Sequence, residues 1–286
     1  MKKRNKLLKI ILILFILGLT IFYNKEHIMK FLYIVYSSFK RTVIDENRYI
    51  LFLNGLESTL LISFLSIMIG TLLGFILFLF FKSKIKILKL ISLSLVRFLQ
   101  CVPVTILLLT FYFGIFGTVD IEPTLVAIIS FSIYFSAYVC EIIKGAFYSI
   151  NRNQIDSAYA LGFTRIQTFK YIILPQVLSY VIPVYKNESV SLIKSTSIAG
   201  YISVMELTKA SDIIRNRTYE AFFPLIFTSL IYFVVCYIFC KFLDFIHKNI
   251  NPMVVKKIWK KIIFWSLIML LNIIIVIWYL ATFISK

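Results

Sequence analysis

Lys186, Asn187, Glu188 and Ser191 sit inside an otherwise apolar run over 172–193. Ionisable groups are costly in hydrocarbon and persist where they meet one another or a water-filled cavity. Lys186 and Glu188 are two residues apart, so a helix points them to different sides and they do not pair with each other. Each needs a partner on another helix or a polar path, although snorkelling toward the outer interface also accounts for Lys186. A second apolar run, 123–143, carries Ser130, Ser132, Tyr134, Ser136, Tyr138 and Glu141. Each serine alone fits hydrogen bonding between helices. Lys194, Thr196 and Ser197 open the external segment after 193. These polar groups do not suit a reaction, because the chain holds no HExxH and no GxSxG motif. Cys236 and Cys240 share a helix face but lack further ligands nearby, and small apolar packing residues are the expectation. No metal and no cofactor are expected.

The other chemically distinct stretch, NRNQIDSAYALGFTRIQTFKYIILPQ, runs from 151 to 176 and is polar. Asn153 can cap a helix, with Asp156 in its first turn where a negative charge suits the dipole. Gly162 sits where a left-handed cap would end that helix. Thr164 and Gln167 match a capping box for a second helix running toward Leu174 and Pro175. The spacing therefore predicts two short helices about a glycine turn, leading into the next apolar run. A cytoplasmic loop that happens to be helical and a docking element for a soluble partner both fit this pattern.

The elements that position these residues must sit in lipid. Of 286 residues, 60% are hydrophobic and only 15% charged. Seven apolar runs, 7–23, 52–81, 91–116, 123–143, 172–193, 222–246 and 262–283, are candidate membrane spans, and lipid requires them to be helical. The second is long enough to tilt or to begin at the interface. The net charge of +18 would suggest nucleic acid in a soluble protein. Here the lysines cluster at the ends of apolar runs, which points to topology and contact with anionic headgroups instead. With the N-terminus inside and the C-terminus outside, the inner segments carry about twice the Lys and Arg of the outer ones. Segment 24–51 is basic yet placed outside. Within it Ile28, Phe31, Leu32, Val35 and Phe39 keep helical spacing, which fits either a helix on the membrane surface or one packed on a bundle. Lys2, Lys3, Arg4 and Lys6 precede the first apolar run without a small-residue cleavage site, so an uncleaved anchor is expected. Gly70 and Gly74 form a GxxxG pair, which close helix contact and chance explain equally.

The 151–176 stretch resembles the "EAA" coupling loop of permease subunits in ATP-binding-cassette importers. Asp156, Ser157 and Ala158 stand for its acidic-Ala-Ala core, followed by Gly162, Leu174 and Pro175. Its flanks resemble the polar-amino-acid permease group. Glu141, Lys144 and Gly145 in YVCEIIKGAFYSI match that group's Glu, basic residue and Gly. NRNQIDSAYALG matches its Gly-Gln-x-Glu-Ala-Ala-x-Ala-Leu-Gly, with Asn153 in place of Gly. NESVSLIKSTS (187–197) matches Asn-Glu…Leu-x-Lys-Asp-Thr-Ser, with Ser195 in place of Asp. NGLESTL (54–60) matches the start of the first core helix. VRFLQCVPV departs, reading Gln100, Cys101, Val102, Pro103 against Arg-Gly-Thr-Pro.

The resemblance covers 52–246 and implies an all-α membrane helical bundle, a five-helix permease core with one extra membrane helix at each end. The implied domains are 1–51 (anchor and amphipathic segment), 52–246 (permease) and 247–286 (additional helix). It implies a non-enzymatic subunit that imports a polar amino acid by alternating access in the inner (cytoplasmic) membrane. Gln154, Asp156, Ser157, Ala158 and Gly162 would couple to an ATPase. Glu141, Asn187, Glu188, Lys194, Thr196 and Ser197 would line the path. The chain lacks a Gly-x-x-x-x-Gly-Lys-Ser/Thr loop, so a separate ATPase subunit is implied. An external substrate-binding protein, a second permease subunit (identical or related) and membrane lipid complete the partners, and nucleic acid does not figure. A membrane scaffold and an intramembrane enzyme are the alternatives.

Overall fold

The computed structural model describes residues 25–250, and these are helical almost throughout. The candidate spans 7–23 and 262–283, and the expected N-terminal anchor, lie outside the described residues. Of the described residues, 25–47 belong to one compact unit and 48–250 to another. The first holds helix α1 (Lys25–Phe39), followed by a π-helical and a 3-10 turn. On α1, Met29, Tyr33 and Tyr36 are exposed. Val35 is half-buried and Phe39 exposed, while the side chains of Ile28, Phe31 and Leu32 lie outside the description.

The second unit contains α2 (Tyr49–Lys82), α3 (Lys86–Cys101), α4 (Val104–Leu109, extended as a π-helix to Ile115), α5 (Pro123–Tyr148), α6 (Arg152–Ala160), α7 (Arg165–Thr168), α8 (Leu174–Ser195), α9 (Leu207–Thr218) and α10 (Phe222–Ile250). Its centre is the seam between α2 and α5. The seam face of α2 is a stripe of small residues: Gly55, Thr59, Ser63, Ser66, Gly70 and Gly74 are all buried. A Cβ added at Gly70 would lie 2.8 Å from the Ser132 carbonyl oxygen, and one at Gly74 would lie 2.6 Å from Val139 Cβ. The GxxxG pair is therefore a close helix contact and not a coincidence of spacing. The hydroxyls cost nothing there, because Thr59 donates to the Gly55 carbonyl and Ser63 to that of Thr59. Ser130 and Ser132 do the same within α5. Phe131, Phe135, Ile62, Leu108 and Leu192 fill the space beside the seam. The opposite face of α2 shows Phe64, Leu72, Phe75 and Leu79, as a lipid-facing helix would.

Three of the described helices are both long and apolar enough to cross a membrane: α2, α5 and α10. Two expected spans differ from that description. The run 91–116 is broken, α3 and α4 meeting at 106°. Pro103 is the cause: it lacks an N–H and forces Val102 out of the helical region, to ψ 127°. Helix α8 has 22 residues, enough length to cross, but its polar groups keep it out of the apolar set. Its Lys186 and Glu188 face neighbouring helices instead of forming a uniform apolar surface.

The segment after α8 closes the opposite end of the seam. Glu206 caps α9, accepting from the backbone N–H of Thr208 (2.7 Å) and Lys209 (2.6 Å), and the Tyr232 hydroxyl of α10 donates to it at 3.2 Å. Gly55 packs directly on the Glu206 carbonyl, and the Leu207 N–H donates to Thr59 Oγ1. Burial pushes the Glu206 carboxyl up from its ordinary range, against the lowering effect of the N–H groups it accepts from.

Candidate functional site

The 151–176 stretch folds as two capped turns of helix about one glycine. The cap of α6 is Asn151, not Asn153: its Oδ1 accepts from the Asn153 N–H at 2.9 Å. Both asparagines suit the role, and the chain uses the one that leaves Asn153 inside the first turn. The helix ends in a Schellman motif. Gly162 N–H donates to the Tyr159 carbonyl and Phe163 N–H to that of Ala158, both at 3.0 Å. Gly162 has φ +82°, and a Cβ there would meet nothing within 4 Å. Backbone conformation, not space, requires glycine. Thr164 and Gln167 form the expected capping box, with bonds of 2.8 and 3.3 Å. From Arg165 the chain stays helical through a π-turn (Phe169–Ile173) into α8. Helix α7 thus runs without a break in helical conformation into the helix bearing Lys186 and Glu188, which carries Pro183 in its interior, while α6 is joined to it through the Gly162 turn.

Asp156, Ser157 and Gly162 are exposed. Ala158 is 2% exposed and turned into the chain, so a soluble partner would meet Ser157 and not Ala158. Gln154 accepts a bond from Gln176 Nε2 at 2.8 Å and ties α6 to α8. Leu161 and Ile166 stand 79% and 78% exposed. Both belong to the element between the apolar runs 123–143 and 172–193, and not to a candidate span. These two lay unmarked in the sequence because Leu and Ile are common everywhere in this chain.

The expected path residues are only partly gathered. Glu188 is half-buried on α8. Tyr134 and Tyr138 lie one turn apart on α5 with their rings tilted at 51°, centroids 4.9 Å apart, and their hydroxyls hydrogen-bonded at 3.0 Å. Tyr185 and Thr71 join α8 to α2 through a 2.7 Å hydroxyl bond. Lys186 has its partner on another helix: Nζ donates to Asp244 Oδ1 of α10 at 2.6 Å. Asn187 and Lys194 are exposed. Thr196 and Ser197 donate to the carbonyls of Ile193 and Lys194 and so close the end of α8. Glu141 pairs with Lys144 on its own helix at 3.1 Å, 48% of its side chain exposed. Asp244 and Glu206 were missed by reading the sequence. An acid within an apolar run was the signal for Asp244; Glu206 gave none.

A small-residue seam and three helices long and apolar enough to cross a membrane, beside a broken apolar pair, define a multi-pass helical membrane protein. Residues 66–282 match the family described as binding-protein-dependent transport system inner membrane components, and the chain belongs to it. YckA of Bacillus subtilis (strain 168), a probable amino-acid ABC transporter permease, is 35% identical over 199 residues, covering 69% of this chain and 88% of that one. The probable glutamine ABC transporter permease GlnP of the same organism is 32% identical over 191 residues, 64% and 86% of the two chains. The crystal structure of an amino acid ABC transporter with histidines has a TM-score of 0.64 at 32% identity, covering 70% of this chain and 94% of that one. The inward-facing MetNI methionine ABC transporter is similar in fold, with a TM-score of 0.58 at 17% identity, 73% of this chain and all of the other.

Proposed function

We propose that this chain is the membrane-spanning permease subunit of an ATP-driven importer of a polar amino acid in the inner membrane. ATP is hydrolysed by a separate subunit that docks on 151–176, chiefly on Asp156, Ser157, Leu161 and Ile166. A second permease subunit, identical or related, completes the pathway, and an external binding protein delivers the solute. Alternating access follows when the ATPases move their docked elements, because each element is continuous with α8 and carries Lys186 and Glu188 with it. Glu188, Asn187 and Lys194 line the path. Glu141 serves at its inner end, while Thr196 and Ser197 hold the outer end of α8 in shape. The observation that carries this reading is the capped α6–α7 element with Leu161 and Ile166 bare on its surface. An intramembrane enzyme would have no use for such a handle, and a scaffold would have none for its continuity with α8.

The test is reconstitution of the chain with its ATPase and binding protein in liposomes, with ATP hydrolysis followed across a panel of amino acids. The expected result is stimulation by at least one polar amino acid together with its uptake. Hydrolysis indifferent to every amino acid, with none taken up, would contradict the reading.

A further inference from the structure

Three ammonium groups converge on two aromatic rings where α2, α3 and α5 meet. Lys82 Nζ lies 4.6 Å from the centroid of Phe147. Lys89 Nζ and Lys144 Nζ both stand over Phe81, at 5.6 and 5.1 Å. The rings are held by their neighbours: Phe78 stacks on Phe147 at 5.1 Å, and Tyr148 meets Phe81 edge-on at 6.3 Å. Lys144 has a carboxylate partner in Glu141. Among the described residues neither Lys82 nor Lys89 has an acidic one. Lys84 and Lys86 are exposed on the adjoining turn, and Ile85, Ile87 and Leu90 stand 57%, 69% and 66% exposed beside them.

Ring faces attract cations, but two ammonium groups over one ring repel each other, and the surplus positive charge calls for an anion. The exposed isoleucines and leucine call for an apolar body attached to that anion. The charge bias places residues 82–90 at the inner surface, where anionic lipid is found. We propose that this cluster is a site for one anionic phospholipid of the inner leaflet. Its phosphate lies among Lys82, Lys89 and Lys144, and its acyl chains run along Ile87 and Leu90. Lys144, Phe147 and Tyr148 belong to the last turns of α5, immediately before Asn151, which caps α6. A headgroup bound here would brace the joint from which the α6–α7 element springs. The site rests on the orientation and not on the importer reading.

The test uses the full chain in mild detergent, titrated with phosphatidylglycerol or phosphatidylcholine and read by native mass spectrometry. One phosphatidylglycerol should bind in preference to phosphatidylcholine. Lys82→Gln/Lys89→Gln should weaken it roughly 30-fold, since each lysine near an anionic surface contributes a factor of about 5. Lys82→Arg/Lys89→Arg should keep it. If the double glutamine variant fails to accumulate, Lys89→Gln alone should still weaken binding about 5-fold. Arg165→Gln/Lys170→Gln, which removes two inner charges elsewhere, should leave it unchanged. Equal binding of both lipids, or an equal loss in the Arg165/Lys170 variant, would overturn the proposal. So would displacement of the lipid by millimolar inorganic phosphate, which would make the ligand a free ion.

Discussion

Gly162 is where a single residue's conformation matters most. Its φ of +82° is a region that costs other residues about 1–2 kcal/mol, β-branched ones most and asparagine least. Gly162→Val should therefore break the Schellman motif and reduce co-purification of the ATPase several-fold. Gly162→Asn should keep most of it. Because the space around the Cβ is empty, equal loss in both variants would show that size and not φ is at issue. The Lys186–Asp244 pair makes a second demand at this scale. Removing one partner leaves the other charge uncompensated between helices. Lys186→Met should destabilise the detergent-solubilised chain by on the order of 1 kcal/mol, read as a lower melting temperature, the pair being partly exposed. Adding Asp244→Leu should bring it back toward the parent. A double variant less stable than the single one would mean that the pair does not act as a pair.

Between elements, the α2–α5 seam depends on the absence of side chains. Gly74→Ala should destabilise by about 1–3 kcal/mol, since its Cβ would meet both Val139 and the Ser136 carbonyl oxygen. Gly114→Ala, whose Cβ would meet only Thr110 Cγ2 at 3.8 Å, should melt with the parent. Glu206 gives the outer segment a pH dependence of known sign. An acid whose carboxyl is raised in the folded chain binds its proton more readily folded than unfolded. Its stability is full below the ordinary carboxyl range near 4.5 and declines as pH climbs through the raised value. Melting followed from pH 4 upward should show that decline in the parent and a flatter profile in Glu206→Gln. Identical profiles would remove Glu206 as the cause. Much at this scale was legible in the sequence: the glycine turn, the Thr164–Gln167 box and the apolar runs each depend on neighbours close in the chain. What was not legible depends on distant ones. The GxxxG spacing is the same whether or not a helix lies against it. Lys186 and Asp244 are 58 residues apart, and nothing local links them. The break at Pro103 was readable in principle, but an apolar run on both sides of it masks the change of direction.

For the molecule as a whole, the proposed coupling runs from the 151–176 element into the polar helix α8, so that work done on one would move the other. The placement of Ala158 sharpens where that work is applied. Buried in its own segment, it would support the proposed contact face from behind, with Asp156, Ser157, Leu161 and Ile166 making the proposed face itself. The most direct measurement is co-purification of the ATPase subunit with Leu161→Asp/Ile166→Asp, paired with ATP hydrolysis and amino-acid uptake in liposomes. With side chains 79% and 78% exposed, these residues add little packing to the fold, so the variant should insert and melt like the parent. Buried apolar contacts at the centre of an interface are worth more than about 1 kcal/mol each, so the account predicts at least a tenfold loss of bound ATPase and loss of uptake with it. A variant that keeps the ATPase at parental levels and still imports would contradict the claim that 151–176 is the coupling element.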